Sequence, residues 1–326
     1  MMITDTHSHI YSEEFLADQD QMMQRAFDAG VQRIFVPAID SSYAQKMFEI
    51  ESKYPENVFL MMGLHPTYVK ENVEEELNFV ESELARRKFY AVGEIGIDLF
   101  WDKTFLKEQQ HAFKHQIQLA KKYKLGINIH CRDAFDEVFE VLESEKSDDL
   151  FGIFHCFTGD LGQAQRAISL GMKLGIGGVA TFKNGKIDQF LNEIDLKHIV
   201  LETDSPYLAP VPYRGKRNES SYTLLVAQKL AEIYQLPVEE IARITTENST
   251  LFPSSLFTLI CPPNNSTRLF VRFKPMPLLT ELPNFGVSNI LYLSNISAIC
   301  CSVNPLPEFL TSKYKVLSGS FCDIST

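Results

Sequence analysis

The sequence lacks the features that mark membrane proteins and disulfide-stabilised secreted proteins. No run of about 18 consecutive apolar residues, the length that spans a bilayer, occurs in its 326 residues. No basic and apolar leader opens the chain, and its six cysteines have no short paired spacing, which is typical of free thiols in a reducing compartment. We therefore expect a cytoplasmic globular protein with no membrane partner. Composition leaves its oligomeric state open.

The chain also has fewer basic residues than acidic ones. The chain has 31 lysines and arginines against 42 aspartates and glutamates, so its formal net charge is -11. Because many cations must face the phosphates of a long duplex, this balance argues against a broad electrostatic grip on double-stranded nucleic acid. A small phosphate-binding site built from a few local cations is not excluded.

The chain is rich in short apolar segments that alternate with helical patterns. Eight segments are predicted as strands, and each is followed by a predicted helix. The helix after the seventh strand is short and lies near 187–192. Such units need right-handed parallel crossovers, and eight of them close most compactly into a barrel of about 250 residues. We therefore predict an α/β fold, a (β/α)8 TIM barrel over residues 1–252. The predicted strands are 3–6, 33–37, 58–63, 90–94, 126–130, 151–155, 172–176 and 198–202.

The tail from 253 to 326 is a different kind of sequence. It holds eight of the fifteen prolines but only eight charged residues, and no helical or alternating periodicity persists in it. Proline at this density argues against a regular helix. We expect a C-terminal tail of no regular pattern, disordered or produced by read-through or a shifted frame after the true last helix. A genuine accessory segment that caps the barrel or binds a partner is the alternative.

Seven polar side chains fall at or just past the carboxyl ends of predicted strands, where barrels of this class carry their active sites. His7 and His9 are two apart on the first strand, so their side chains project from the same face. Two histidines alone are as often part of a core as of a metal site, and the repetition on other strands is what favours metal. An open doubly wound sheet would instead gather its ligand at one switch point. The seven residues are His7, His9, His65, Glu94, His130, His155 and Asp204.

Six of these residues, all except His65, offer more nitrogen and oxygen ligands than one catalytic metal uses. They fit two divalent metal ions about 3.5–4 Å apart with a shared carboxylate, and Glu94 is the candidate bridge. Imidazole with carboxylate suits zinc, manganese, cobalt or iron and does not decide among them. Cys131 and Cys156 directly follow two of the histidines. Strand alternation predicts that both point away from the lumen as buried thiols rather than ligands.

Eight short motifs surround these positions. They are TDTHSH (4–9), GLHP (63–66), GEIGID (93–98), HCRDA (130–134), HCFTG (155–159), ETDSPYL (202–208), PYRGKRNE (212–219) and TENSTLF (246–252). In this order and at this spacing they resemble the TatD-type metal-dependent deoxyribonucleases, a family with an amidohydrolase-like TIM barrel. The resemblance spans the whole predicted barrel and ends where the tail begins.

The resemblance implies an enzyme that hydrolyses DNA phosphodiester bonds, often from the 3′ end and on single strands. It implies two divalent metal ions, with magnesium or manganese supporting activity and zinc as a further candidate. DNA, single-stranded or at its 3′ ends, is therefore the expected partner. The ligands that it implies are His7, His9, Glu94 and Asp204 for one ion and Glu94, His130 and His155 for the other.

Catalysis is assigned to Asp204, Glu94 and His65. Asp204 is the expected proton acceptor, because it lies at the site and can bind metal through one oxygen. Glu202 is expected either to orient a ligand histidine or to be buried with an unrelated partner. One departure from the family pattern is visible after strand three, where many members read His-Pro-His and this chain has Thr67 in place of the second histidine. We expect that change to alter a substrate contact and no metal ligand.

Substrate binding needs cations beyond the metals, and five lie in loops on the predicted active-site rim. A run of charges is also found on ordinary solvated faces, which is the alternative for this set. A few rim cations on an acidic body suit a strand end or a short fragment better than a long duplex. Phe100, Trp101 and Tyr207 could stack a base near the mouth or pack the loops. The five cations are Arg132, Lys183, Arg214, Lys216 and Arg217.

Two other functions remain open at this stage. The same barrel and metals could hydrolyse a carboxylic ester or amide, such as an aminoacyl ester, since one fold hosts many chemistries. The rim cations favour phosphate over these substrates. An inactive binding module, spoiled by its C-terminus, is the alternative of another class, and the complete set of candidate ligands argues against it.

Overall fold

The structure, a computed structural model, describes residues 1–249, 269–271 and 299–301 of the 326-residue chain. Eight parallel strands form one sheet in the order of the sequence. They are β1 (Ile3–Asp5), β2 (Val31–Pro37), β3 (Val58–Met62), β4 (Ala91–Asp98), β5 (Gly126–Arg132), β6 (Gly152–Phe154), β7 (Met172–Ile176) and β8 (Ile199–Leu201).

Hydrogen bonds between the first and last strands bring the sheet nearly to a closed barrel. The amide of Thr6 donates to the carbonyl of Leu201 at 2.9 Å, and the amide of His9 donates to the carbonyl of Ser205 at 2.8 Å. A parallel bridge joins Ser8 to Ser205 between these bonds. The predicted (β/α)8 TIM barrel is therefore confirmed.

Helices follow the strands and cover the outside of the barrel. The predicted short helix near 187–192 is instead two 3-10 turns, Ile187–Gln189 and Leu191–Glu193, so no α-helix separates β7 from β8. None of the helices in the described part of the chain combines the length and apolarity needed to cross a bilayer. The helices are α1 (Gln19–Asp28), α2 (Ala44–Lys53), α3 (Val73–Arg86), α4 (Leu106–Tyr123), α5 (Phe135–Ser144), α6 (Leu161–Ser169), α7 (Thr223–Tyr234) and α8 (Val238–Asn248).

Local sequence signals set where these helices begin and end. Helix α6 starts with a capping box, in which the side chain of Asp160 accepts from the Gln163 amide and the side chain of Gln163 accepts from the Asp160 amide. Helix α4 ends where Lys124 takes a left-handed conformation with φ of 57°.

An apolar cluster fills the amino-terminal half of the barrel lumen. It consists of five buried residues, Phe35, Met61, Ala91, Ile153 and Val200, which come from β2, β3, β4, β6 and β8. Strands that are not neighbours in the sheet can share a cluster only across the lumen, so this cluster forms its apolar floor. The polar strand ends lie on the other side of this floor.

The chain divides into two compact units, Met1–Leu251 and Phe252–Thr326. The barrel is the first unit. In the second, β9 (Leu269–Val271) and β10 (Ile299–Cys301) pair antiparallel. The remainder of the predicted irregular tail, 253–326, lies outside the described residues.

Candidate metal centre

The carboxyl ends of six strands bring the seven predicted site residues together. His7 and His9 follow β1, His65 follows β3, Glu94 and His130 lie on β4 and β5, His155 follows β6, and Asp204 follows β8. All of them except His7 line a cavity of about 630 Å³. His7 lies beneath it, fully buried. The cavity volume falls in the range that encloses most of a small molecule.

A buried carboxylate on β1 holds the histidine pair in position. One oxygen of Asp5 accepts from the amides of His7 at 3.3 Å and Thr203 at 3.0 Å, and the other accepts from the Thr203 hydroxyl at 2.7 Å. Burial raises the pKa of Asp5 to about 7, although the hydrogen bonds from Thr203 and Ser220 oppose the rise. Asp5 therefore joins β1 to the segment after β8, which carries Asp204.

Four ligand atoms form the first half of the centre. His7 Nε2 and His9 Nε2 lie 3.2 Å apart, and Glu94 Oε2 lies 3.2 and 3.6 Å from them. Asp204 Oδ1 lies 3.8 and 3.7 Å from the same two nitrogens. Ligands about 2.1 Å from a tetrahedral metal are separated by roughly 3.4 Å, so these spacings fit one ion.

The second half of the centre gathers around the other oxygen of the same glutamate. Glu94 Oε1 lies 2.8 Å from His130 Nδ1, 3.3 Å from His65 Nε2 and 3.5 Å from His155 Nε2. Ring nitrogens of His65 and His130 and an oxygen of Glu94 all lie within 4.8 Å of one another. The spacings again fit a single coordination sphere.

Glu94 faces both halves with a different oxygen, which is the arrangement of a bridging carboxylate. Its side chain is 2% exposed. Burial alone would raise the pKa of Glu94, but the surrounding His65, His7 and His155 lower it well below its usual value. The carboxylate is therefore ionised and available to two cations at once.

The outer ring nitrogens of His7 and His130 have carboxylate or amide oxygens as hydrogen-bond partners. His7 Nδ1 lies 2.8 Å from Asn128 Oδ1, and His130 Nε2 lies 2.8 Å from Asp98 Oδ2. Partners of this kind keep the hydrogen on the outer nitrogen, so the lone pair of the inner nitrogen points into the centre. His155 Nδ1 lies 3.1 Å from Glu202 Oε1 but has no hydrogen-bond partner among the described residues.

His9 is oriented by a tyrosine in the same way. The Tyr11 hydroxyl donates to the carbonyl of Pro37 at 2.9 Å, so its oxygen is free to accept from His9 Nδ1 at 3.0 Å. With this bond, three of the four candidate ligand histidines, His7, His9 and His130, have a hydrogen-bond partner on the outer nitrogen. The donor set therefore fits two divalent cations.

His65 has the opposite hydrogen-bond pattern. Its Nδ1 accepts from the Thr67 amide at 3.2 Å and lies 2.7 Å from the Thr67 hydroxyl. A neutral His65 consequently carries its hydrogen on Nε2, which faces Glu94 Oε1. In this state His65 is a hydrogen-bond donor at the centre, which agrees with its separation from the predicted metal ligands.

Of the five predicted substrate cations, the structure brings one into the cavity lining, Arg132. Its guanidinium lies 3.7 Å from the centre of the Phe100 ring. Lys183, Arg214 and Lys216 are exposed outside that lining. Arg217 forms ion pairs with Asp18, at 2.6 Å, and with Glu219, which occupy its guanidinium. The assignment of these four to substrate stays a prediction.

Comparison with known families matches residues 4–252 to the family described as TatD related DNase. The chain belongs to this family. The resemblance seen in the eight motifs is thereby confirmed, and the matched region coincides with the barrel that carries the metal centre.

Individual TatD relatives match over the same region. A Bacillus subtilis (strain 168) protein named "uncharacterized metal-dependent hydrolase YabD" is 38% identical over 249 residues, which cover 76% of this chain and 97% of the relative. The crystal structure of YjjV, a TatD homolog from Escherichia coli K12, has a TM-score of 0.73 at 33% identity and covers 77% of this chain and 97% of that one. A TatD family hydrolase from Entamoeba histolytica has the same fold, with a TM-score of 0.68 at 21% identity, covering 78% and 99%.

Two buried aspartates of the TatD motifs were not predicted as site residues. Asp98 binds His130, and its Oδ1 also accepts from the amides of Phe100 and Trp101 at 3.0 and 3.3 Å. Asp5 holds the histidine pair, as described above. The signal available in the sequence was their place inside the motifs GEIGID and TDTHSH. The predicted fourth strand ended at Glu94, whereas β4 runs to Asp98 and brings that carboxylate beside β5.

The prediction that Cys156 points away from the lumen is wrong, because its thiol lies near Glu202, Asp204 and Glu94. The Cys131 thiol accepts from the Ala134 amide at the start of α5, and its predicted orientation stays a prediction. Both residues are among those that line the cavity, and both are partly exposed. Cys156 lies past the end of β6 with φ of 43°, where the alternation of an extended strand no longer applies. Burial raises the pKa of both thiols above its usual value, so both are protonated in the metal-free protein.

Proposed function

We propose that this metal-dependent hydrolase of the TatD family cleaves DNA phosphodiester bonds with two divalent metal ions, acting on single strands and 3′ ends. The proposal rests on the position of Glu94, because its two carboxylate oxygens face two separate groups of histidines. A carboxylate placed in this way is the bridge of two-metal sites, which serve phosphodiester hydrolysis in many enzymes.

The chain supplies a complete set of ligands for two ions. His7, His9 and Asp204 would hold the first ion, His130 and His155 the second, and Glu94 both. When bound, divalent cations lower the pKa of water for in-line attack and offset the negative charge that builds on the phosphoryl oxygens. Magnesium, manganese and zinc are all compatible with nitrogen and carboxylate donors in this number.

Asp204 is the candidate proton acceptor. Its Oδ1 faces His7 and His9, and the residue also lines the cavity. The Asp204 amide donates to the His7 carbonyl at 2.9 Å, which ties this carboxylate to the histidine pair. Burial, reinforced by the charges of Glu94 and Glu202, raises the pKa of Asp204 well above its usual value in the metal-free protein.

Features of the cavity support a DNA end as the substrate. Arg132 lies in the lining, and the described residues offer its guanidinium no carboxylate partner. Arginine binds phosphate oxygens through its fork of N–H donors. One such cation on a body of net charge -11 suits a single strand end rather than a long duplex.

The experiment compares the full-length protein with its Glu94→Gln variant on end-labelled single-stranded DNA, with magnesium or manganese added. We expect nucleotides to be lost one at a time from the 3′ end in the wild type. Loss of the bridging carboxylate should lower the rate by at least about a hundredfold, as for other groups that act directly on the transition state. Chelator should abolish the reaction.

A matched control is Glu232→Gln, which removes a carboxylate that is 73% exposed on α7. This variant should cleave like the wild type, and circular dichroism should show that Glu94→Gln is folded. Undiminished cleavage by folded Glu94→Gln would refute the proposal. Bound metal without any DNA cleavage by the wild type would direct attention to carboxylic ester or amide substrates.

A further inference from the structure

Exposed apolar side chains are concentrated at the mouth of the metal-site cavity. Ten large hydrophobic side chains are exposed in the described part of the chain, and four of them line this one cavity. Large apolar side chains in contact with water at a cavity rim are typical of a binding surface. The four are Tyr68, Trp101, Tyr207 and Leu208.

Trp101 is the most exposed of this group. Its side chain is 70% exposed, while the neighbouring Phe100 is 49% exposed and meets it edge to face at 4.8 Å between ring centres. A tryptophan so exposed contributes little to packing. Its indole face is therefore open to a flat partner.

Arg132 lies against the same two rings. Its guanidinium is 3.7 Å from the Phe100 ring centre and 5.4 Å from that of Trp101. In the part of the chain that the structure describes, no acceptor takes a hydrogen bond from this guanidinium and no carboxylate pairs with it. Its position over the rings leaves its N–H donors available to a phosphate.

This aromatic and cationic group is joined to the metal centre by a single side chain. Asp98 accepts from the amides of Phe100 and Trp101 with one oxygen and binds His130 with the other. The amide of Leu99 donates to the carbonyl of Arg132 at 2.9 Å. The indole is thus held at a fixed position relative to the histidines of the second half of the centre.

We propose that Trp101, Phe100 and Arg132 form a subsite for one unpaired nucleotide, in which the base stacks on the indole and the guanidinium binds the adjoining phosphate. The inference rests on the proposed function and names the part of the substrate that this side of the cavity selects. A base that is paired and stacked in a duplex cannot offer its face to Trp101, so the subsite selects single-stranded ends.

Trp101 is the only tryptophan in the chain, so its emission reports this subsite alone. Full-length Glu94→Gln protein, which should not consume the DNA, is titrated with a five-nucleotide thymidine oligomer and with the same oligomer carrying an abasic 3′-terminal sugar. We expect the first oligomer to quench the emission and the second, with the same phosphates, to quench it much less. Equal quenching by both oligomers, or none by either, would overturn the proposal.

Kinetics supply the second measurement. Trp101→Ala should raise KM for the intact oligomer about tenfold with little change in kcat, since stacking on an aromatic ring contributes about that factor or more. Trp101→Phe should recover most of the loss, and KM for the abasic oligomer should be the same in all three proteins. A rise in KM of the same size for both oligomers would contradict base stacking.

Leu16→Ala is the matched control, because Leu16 is 67% exposed and lies outside the cavity lining. It should leave both measurements unchanged. If DNA cleavage depends on Glu94 but neither the Trp101 emission nor the KM of Trp101→Ala changes as expected, the subsite is rejected and the proposed function stands. Quenching by the base without any cleavage would support the subsite and reject the nuclease function.

Discussion

Replacing Glu202 with glutamine tests whether this buried carboxylate supports metal binding but lowers the stability of the metal-free fold. Glu202 is fully buried, and its Oε1 accepts from the Cys156 amide at 2.7 Å and faces His155 Nδ1. Its Oε2 is buried without a hydrogen-bond partner in the described structure. Burial is the largest influence on this side chain and raises the pKa of Glu202 from 4.5 to about 7.

The raised pKa of Glu202 determines whether its ionisation stabilises or destabilises the folded protein. A carboxylate whose pKa is higher in the folded than in the unfolded chain is harder to ionise when folded, so stability falls as pH rises from 4.5 to 7 and the full cost remains above 7. The rise from 4.5 to about 7 corresponds to a cost of about 3 kcal/mol at pH 8 and about 1 kcal/mol at pH 5. Glutamine keeps an acceptor oxygen and removes the charge.

We therefore expect metal-free Glu202→Gln to be more stable than metal-free wild type, by up to about 3 kcal/mol at pH 8 and about 1 kcal/mol at pH 5. Urea unfolding in the presence of chelator measures both values. The same variant should bind metal 10- to 100-fold more weakly, because a neutral amide supports the imidazole of His155 less than a carboxylate does. Isothermal titration with manganese measures that loss.

The exposed Glu232→Gln variant serves as the control and should change stability by no more than about 0.5 kcal/mol. A metal-free Glu202→Gln protein that is less stable than wild type at pH 8 would refute the reasoning. It would mean that the hydrogen bonds of the carboxylate outweigh the cost of burying its charge.

Two further substitutions separate the metal centre from its surroundings. Asp98→Asn should weaken metal binding 10- to 100-fold by removing the charged partner of His130, as measured by manganese titration, and unchanged affinity would exclude this positioning role. Arg217→Ala should lower the free energy of unfolding by about 1 kcal/mol through loss of its partly exposed ion pair with Asp18, and should leave KM for DNA unchanged. A several-fold rise in that KM would restore Arg217 to the substrate contacts.

Much of the architecture was predictable because it depends on local pattern. Apolar runs and helical periodicity located all eight strands, and the histidines at their ends indicated the site. The fourth strand shows where such reasoning stops. Its apolar pattern suggested an end at Glu94, but pairing with β5 extends it to Asp98, and pairing is a tertiary effect that periodicity does not encode.

Packing between segments distant in sequence also limits what a single sequence predicts. Arg217, whose assignment to substrate stays a prediction, pairs with Asp18, which is 199 residues away in the chain. Cys156 was expected to follow strand alternation, yet its positive φ turns the chain just past β6. In both cases the deciding contact or torsion is set by packing between segments, which a single sequence does not reveal.

The apolar floor of Phe35, Met61, Ala91, Ile153 and Val200 determines how substrate enters and product leaves the cavity. Because it blocks the lumen below the metal centre, the cavity is blind, and whatever enters must leave by the same opening. Substrate therefore cannot be threaded through the barrel, and product leaves on the side from which substrate came.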